Sequence, residues 1–251
     1  MLNIIVCLKQ VPDTEASIKI DGDQKSIVES GIKFILNPYD EFAVEAALQI
    51  KESQGAGTIT AITLGPDRVQ EALRTAVAMG VDEVVHLQAQ QSFIDPAIAA
   101  QVLSDKIKAM PFDLILMGKE AIDDGAMQVG PMLAERLNIP CLTVATKLQV
   151  AGQTVTIERE IEGGAEVLEA PLPCVVTCQK GLNEPRFPSI RGVMMAKKKV
   201  IAPESVAVAN NPTSITSFVY PPSRSGSKIV GEGAGAADEL VRLLREQVKI
   251  L

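Results

Sequence analysis

The stretch Gly118–Pro131, GKEAIDDGAMQVGP, comes closest in this chain to residue types and spacing that do chemistry. It joins an apolar run to a helical pattern, so it leads from a buried strand into a helix. Its glycines, Gly118, Gly125 and Gly130, let backbone N–H groups approach a ligand. A helix start carries unsatisfied donors and the positive end of the helix dipole, which together suit a phosphate. Gln128 adds a side-chain donor. Asp123 and Asp124 pull the other way, because they can cap the same donors and would repel an anion laid directly on them. If a nucleotide binds, these carboxylates are expected to face ribose or backbone. The spacing matches neither a Walker loop nor GxGxxG.

Other chemistries find little material. One histidine, His86 in DEVVHL, leaves no room for a Ser/His/Asp or Cys/His set. The four cysteines, Cys7, Cys141, Cys174 and Cys178, read as buried thiols in strands. Cys174 and Cys178 have the wrong spacing for a zinc knuckle, and a chain this long needs no disulfide framework. Acidic pairs fall mostly on helix faces, where solvation is the default role. Without proton-transfer machinery the chain reads as a binder or carrier, with no catalytic residue expected.

Composition narrows the class further. Of 251 residues, 47% are hydrophobic and 22% charged, enough for a sizeable core in a soluble protein. Aromatics at 3%, no Trp and a net charge of -7 argue against a nucleic-acid surface. No apolar run reaches the roughly 20 residues of a membrane-spanning helix. The opening MLNIIVCLKQ reads as a buried strand without a basic leader or cleavage site, so a cytoplasmic location is expected.

These residues need a scaffold, and the chain alternates between two periods. Ile4–Leu8, Thr58–Leu64, Glu83–Leu87 and Asp113–Met117 are short Ile/Val/Leu-rich runs that read as strands. Between them, Asn37 and Pro38, Pro66 and Asp67, and Asp95 and Pro96 open helices; Gly80 closes the second. Such alternation implies a doubly wound α/β domain with a mostly parallel sheet. Thr143–Val150 and Thr154–Ile161 flank the turn Ala151–Gly152–Gln153 as a hairpin, followed by Ala165–Ala170 and Pro173–Cys178; these pieces are expected to add an antiparallel edge. Residues 1–200 form this domain. Residues 201–251 read as an extended Pro/Ser/Gly/Asn-rich arm ending in a helix, Ala237–Val248, with Leu240, Leu244 and Val248 on one stripe. Such an arm lies on a partner subunit or packs back on its own domain. In open α/β sheets ligands sit beyond the carboxyl ends of the strands. That rule selects Lys9–Thr14, the turn into Asn37–Asp40, Leu64–Pro66 and Gly118–Gly130.

Five segments carry a resemblance. IIVCLKQVPD, ILNPYDEFAVEAALQIKE, the LGP of Leu64–Pro66, ALRTAVAMGVDE and above all GLNEPRFPSIRGVMMAKKK look like the beta subunit of electron-transferring flavoproteins, in that family's order from the first strand to Lys199. The resemblance implies a heterodimer with an alpha subunit that carries most contacts to a redox FAD, while the beta subunit buries AMP. It implies electrons arriving from dehydrogenases, notably acyl-CoA dehydrogenases, and leaving to a quinone oxidoreductase or similar acceptor.

By position, the resemblance places the nucleotide pocket on Cys7, Asn37, Pro38, Tyr39, Asp40 and Leu64. The same pocket takes in Asp123, Asp124, Gly125, Ala126, Met127, Gln128, Val129, Gly130, Pro131, Met132, Leu133 and Ala134. These are the loops that the sheet rule selected. The family's partner-recognition loop falls on Pro185–Lys197, with Ile190 as apolar anchor and Arg191, Gly192, Met194 and Lys197 beside it. Glu160 matches a glutamate that meets an arginine near the flavin. Some members instead hold a second FAD in the beta pocket and bifurcate electrons, with a D-G-D-T-A-Q-V-G-P loop. Here Gln128–Pro131 match that pattern while Asp124, Gly125 and Met127 depart from it, which favours AMP. From another class, a stand-alone adenine-nucleotide-binding protein of the universal-stress type shares the layout. An adenylyl-transferring ligase needs a phosphate-loop signature that is absent.

Overall fold

The computed structural model describes residues 1–91, 93–223, 226 and 229–251. In chain order run β1 (Leu2–Leu8), β2 (Gln10–Pro12), β3 (Phe34–Leu36), α1 (Pro38–Gln54), β4 (Gly57–Gly65), a 3-10 turn (Asp67–Val69) leading into α2 (Gln70–Met79), and β5 (Glu83–Gln88). Then come α3 (Pro96–Ile107), β6 (Leu114–Gly118), α4 (Val129–Leu137), β7 (Cys141–Ala145), β8 (Lys147–Ala151), β9 (Thr154–Ile161) and β10 (Gly164–Pro171). The last are β11 (Cys174–Cys178), α5 (Ile190–Lys198), β12 (Pro203–Ser205) and α6 (Ala237–Leu243), which continues in wider π-type turns through Leu244–Val248.

Seven strands form one sheet in the order β12-β5-β4-β1-β6-β11-β7, and every neighbouring pair is parallel. The fold is the doubly wound α/β class expected from the alternation. Along β1, Ile4 and Val6 point into the core shared with α1 and α2, and Ile5 and Cys7 into the core shared with α3 and α4. This is why the strand is a continuous apolar run rather than an alternating one. The chain leaves β1 toward β4 and β5, then returns to place β6 on the other side of β1. The strand order therefore reverses between β1 and β6, and a crevice opens at their carboxyl ends.

The antiparallel element is present as a sheet of its own, β10-β9-β8, beside the edge strand β7 and not in its ladder. The run Thr143–Val150 is consequently two strands instead of one. The break follows from hydrogen bonding. The Val144 N–H leaves the ladder for Thr177 Oγ1 at 2.9 Å, and Thr146 turns its N–H to the Glu158 carbonyl at 2.8 Å. Val144 takes φ 61°, an uncommon conformation for a β-branched residue. Val155, Ile157 and Ala170 bury one face of the small sheet on the main core.

Three further elements differ from the sequence reading. Pro173–Cys178, expected with the antiparallel edge, is β11, parallel to both β6 and β7 within the main sheet. Pro185–Lys197 is expected as a loop, but Ser189 caps a helix there, its Oγ accepting from the Gly192 N–H at 3.0 Å, so Ile190 opens α5. The arm begins inside the domain: Ile201 is buried and β12 extends the sheet alongside β5. Farther on, Asn211 Oδ1 accepts the Asp95 N–H at 2.9 Å, the Thr213 hydroxyl donates to Asp95, and Tyr220 Oη accepts the Ile20 N–H at 2.9 Å. The arm thus packs on its own domain as far as Tyr220. Beyond it, α6 leaves Leu240 46% and Val248 56% exposed, so the stripe of this helix is largely uncovered. Among the described residues no helix is long and apolar enough to cross a membrane, and no His/Cys/Asp/Glu group is placed to hold a metal ion.

Candidate functional site

Asn37 and Asp40 organise the crevice between β1 and β6. Asn37 stands at the N-cap of α1 but does not cap it. Its side-chain amide serves another partner, donating to the Glu120 carbonyl at 2.9 Å and accepting the Ile122 N–H at 3.2 Å. Its own N–H meets the Lys9 carbonyl at 2.9 Å. Asp40 is buried, and its two oxygens accept the Lys9 N–H at 2.7 Å and the Gly118 N–H at 2.9 Å. One carboxylate therefore fixes the carboxyl ends of both strands at the reversal point. Gly118 is required for this approach, because a Cβ there would stand 2.5 Å from Asp40 Oδ1 and 2.6 Å from Tyr39 Cβ.

Burial raises the Asp40 carboxyl to about 7 despite the N–H bonds from Lys9 and Gly118. A carboxyl raised in the folded state binds more protons folded than unfolded between its ordinary value and about 7. Its contribution to stability therefore falls as pH rises through that window, by about 1.4 kcal/mol over each full pH unit. In Asp40→Asn this pH dependence should vanish. Urea unfolding of both chains at several values between pH 5 and 8 checks it; parallel curves would exclude Asp40 as the source.

The loop above the crevice settles the competition seen in the sequence. Asp123 and Asp124 do not cap α4, whose first turn has no side-chain cap. They turn to Lys9 instead, with Nζ 2.8 Å from both Asp123 Oδ1 and Asp124 Oδ2. Asp124 Oδ1 also accepts the Ala126 N–H at 3.0 Å. Burial pulls the Lys9 ammonium down, but the two carboxylates outweigh it and hold it above its ordinary range. Gly125 at φ 59° and Met127 at φ 55° bend the loop into the helix. Gly130 brings α4 against the sheet, since a Cβ there would stand 2.5 Å from the Thr177 methyl. The N–H groups at the start of α4 carry no side-chain cap, so they remain free donors, and the acidic pair is not spent on them.

The expected pocket residues do not all share one environment. Asn37, Asp40, Asp123 and Asp124 are joined by hydrogen bonds through Lys9, Gly118 and the Glu120–Ile122 backbone. Cys7 and Leu64 lie at the ends of β1 and β4, and Leu133 and Ala134 are buried where α4 packs on the sheet. Burial raises the Cys7, Cys141, Cys174 and Cys178 thiols, so none is a ready thiolate. The strand-end rule selected the loop that Lys9 opens, but the pairing of Lys9 with the acidic loop is what sequence reasoning missed. No local pattern reveals a partner 114 residues away.

Comparison with known proteins decides the family. The family model for the electron transfer flavoprotein domain matches residues 24–209. The chain is 42% identical to the electron transfer flavoprotein subunit beta of Bacillus subtilis, with all of both chains covered. It is 41% identical to that of Syntrophomonas wolfei, covering 99% of this chain and 98% of the relative, and 36% identical to the human one, covering 98% and 97%. The chain belongs to the electron transfer flavoprotein beta-subunit family. Electron transfer is accordingly the work in which it takes part.

As an electron transfer flavoprotein subunit the chain presents a second feature, at the opposite end of the sheet from the β1–β6 crevice. The segment before α5 is clamped to α1: Arg186 meets Glu45 at 2.8 Å and Glu52 at 2.6 Å, and Asn183 donates to the Phe42 carbonyl at 3.0 Å. Gly192 sits where a Cβ would strike the Ala78 carbonyl, so α5 packs tightly on the end of α2. Arg74 donates to the Ala196 carbonyl at 2.8 Å and holds the other end. Ile190, Arg191, Met194, Met195 and Lys198 form one exposed, largely apolar patch on α5. Ile190 is 85% exposed and Phe187 96%. Glu160 is exposed on β9, while its neighbour Arg159 pairs with Glu166 at 2.6 Å.

Proposed function

We propose that this chain is the nucleotide-holding subunit of a heterodimeric electron carrier. It binds AMP in the β1–β6 crevice and helps an alpha subunit present its FAD. Electrons arrive from dehydrogenases such as acyl-CoA dehydrogenases and leave to a quinone oxidoreductase or similar acceptor, in the cytoplasm. The observation that carries the reading is the convergence of Asn37, Asp40 and the Asp123–Gly130 loop where the strand order reverses. In this reading Asn37 and Asp40 hold the loop, the first turn of α4 takes the phosphate, and the chain's own groups move no proton. FAD supplies the electron-accepting chemistry when bound with the partner. The uncovered stripe of α6 is the surface proposed to lie on the alpha subunit.

Docking to the dehydrogenase is assigned to the α5 patch, with Ile190 as anchor. Co-expression with the alpha subunit should give a yellow 1:1 complex whose colour bleaches when an acyl-CoA and its dehydrogenase are added. Replacing Ile190 by Ala should weaken docking about thirtyfold, the equivalent of about 2 kcal/mol at an apolar hot spot, and leave flavin content intact. Unchanged docking affinity would remove Ile190 from recognition. A colourless, stable homodimer formed without the partner would point to a stand-alone binder.

The AMP assignment rests mainly on shape. Met127 is longer than the alanine of the bifurcating pattern and stands at the loop's left-handed bend. The carboxylate of Asp124 is a weaker argument, because Lys9 offsets it.

A further inference from the structure

A nucleotide phosphate in this crevice meets a physical problem, and Lys9 answers it. The phosphate must bind beside Asp123 and Asp124, two carboxylates on one turn. Lys119, the other lysine at this edge, is already 3.2 Å from Glu120 and stacked 5.0 Å from the Tyr39 ring centre. Among the described residues Lys9 is the one cation within ion-pair distance of Asp123 and Asp124. Its backbone cannot drift, because its N–H is held by the buried Asp40 and its carbonyl by the Asn37 N–H. Its side chain therefore starts from a fixed point and ends between the two acids.

We propose that Lys9 is the positioning residue that compensates the acidic loop, so that the start of α4 can accept the phosphate of an adenine nucleotide. The proposal rests on the nucleotide reading of this crevice. Lys9 acts through Asp123 and Asp124 and needs no contact with the nucleotide. With Lys9 in place the three groups sum to one negative charge; without it, two carboxylates face the incoming anion. The opposing account is an ordinary half-exposed ion pair, which contributes little to anything.

The two accounts separate in the heterodimer. Nucleotide is stripped from the purified complex and AMP is titrated back by calorimetry, with FAD content as the control for assembly. Lys9→Met should weaken AMP binding at least about tenfold, and the loss should shrink as salt rises from about 0.05 to about 0.5 M, since screening relieves like-charge repulsion. The triple variant K9M/D123N/D124N, which removes both carboxylates and leaves the three positions uncharged without restoring the bridge, should recover most of that affinity or all of it. Lys9→Arg, which keeps the charge, should stay within about threefold of the parent. Parental affinity in Lys9→Met would overturn the proposal alone, as would a triple variant no better than Lys9→Met. Should Lys9→Met fail to assemble, a tenfold loss in Lys9→Arg would overturn it as well. A parent complex that takes up no AMP would overturn the nucleotide reading and this proposal together.

Discussion

Replacing Arg186 by Met is expected to lower stability by about 3 kcal/mol, because it leaves the buried Glu45 carboxylate without its cation. Arg186 bonds Glu45 through Nε at 2.8 Å, Nη2 at 3.0 Å and its own backbone N–H at 3.1 Å, and reaches Glu52 with both terminal nitrogens. Only the backbone bond and the Gln49 amide remain to Glu45 in the variant. The expected figure sits at the low end for a buried pair because the Arg186 side chain is 35% exposed and water can follow it. The loss should reach function as well, since this clamp anchors the segment that leads into α5. Docking to the dehydrogenase should weaken while nucleotide content stays unchanged. Adding Glu45→Gln, which removes the stranded charge, should recover part of the stability. Denaturant unfolding decides; a midpoint equal to that of the parent would mean that Glu45 tolerates burial alone.

Gly118→Ala should damage the other end of the sheet. The new methyl would stand within 3 Å of Asp40 Oδ1, Tyr39 Cβ and the Tyr39 carbonyl carbon, at 2.5, 2.6 and 2.9 Å. These atoms belong to the first turn of α1 and cannot swing aside as the tip of a long side chain can. Overpacking of this kind costs about 3 kcal/mol, which in a chain of this size lowers the melting temperature by roughly 6–12 °C. The Asp40–Gly118 bond must also stretch, so the loop to Asp124 should lose its register and the complex its AMP. A variant that melts within about 2 °C of the parent and keeps its nucleotide would show that the crevice is softer than its contacts suggest.

Different parts of this molecule were legible in the sequence for different reasons. The parallel sheet was legible because strands buried on both faces read as unbroken apolar runs, and Pro38, Pro66 and Pro96 mark the turns into helices or helical turns. The crevice followed from the rule on strand ends, which named Asn37–Asp40 and the Gly118–Gly130 loop before any contact was visible. Helix α5 was hidden by residues that usually break helices. Pro185 and Pro188 precede it, and Gly192 lies in its first turn only because the Ala78 carbonyl leaves no room for a side chain. The split between β7 and β8 was hidden because a strand entering the parallel sheet and a hairpin strand share a period of two. Asn37 looked like a helix cap because the local signal for a cap does not include the distant Glu120 and Ile122 that claim its amide. Lys9 opens a loop that the rule on strand ends also named, but its pairing with acids 114 and 115 residues away gave no local signal.

The crevice is proposed to hold a mononucleotide while the redox flavin belongs to the partner. Purified heterodimer, denatured and resolved by chromatography, measures this directly. One AMP and one FAD per heterodimer is the predicted result. Two FAD and no AMP would contradict it and make the complex a bifurcating carrier.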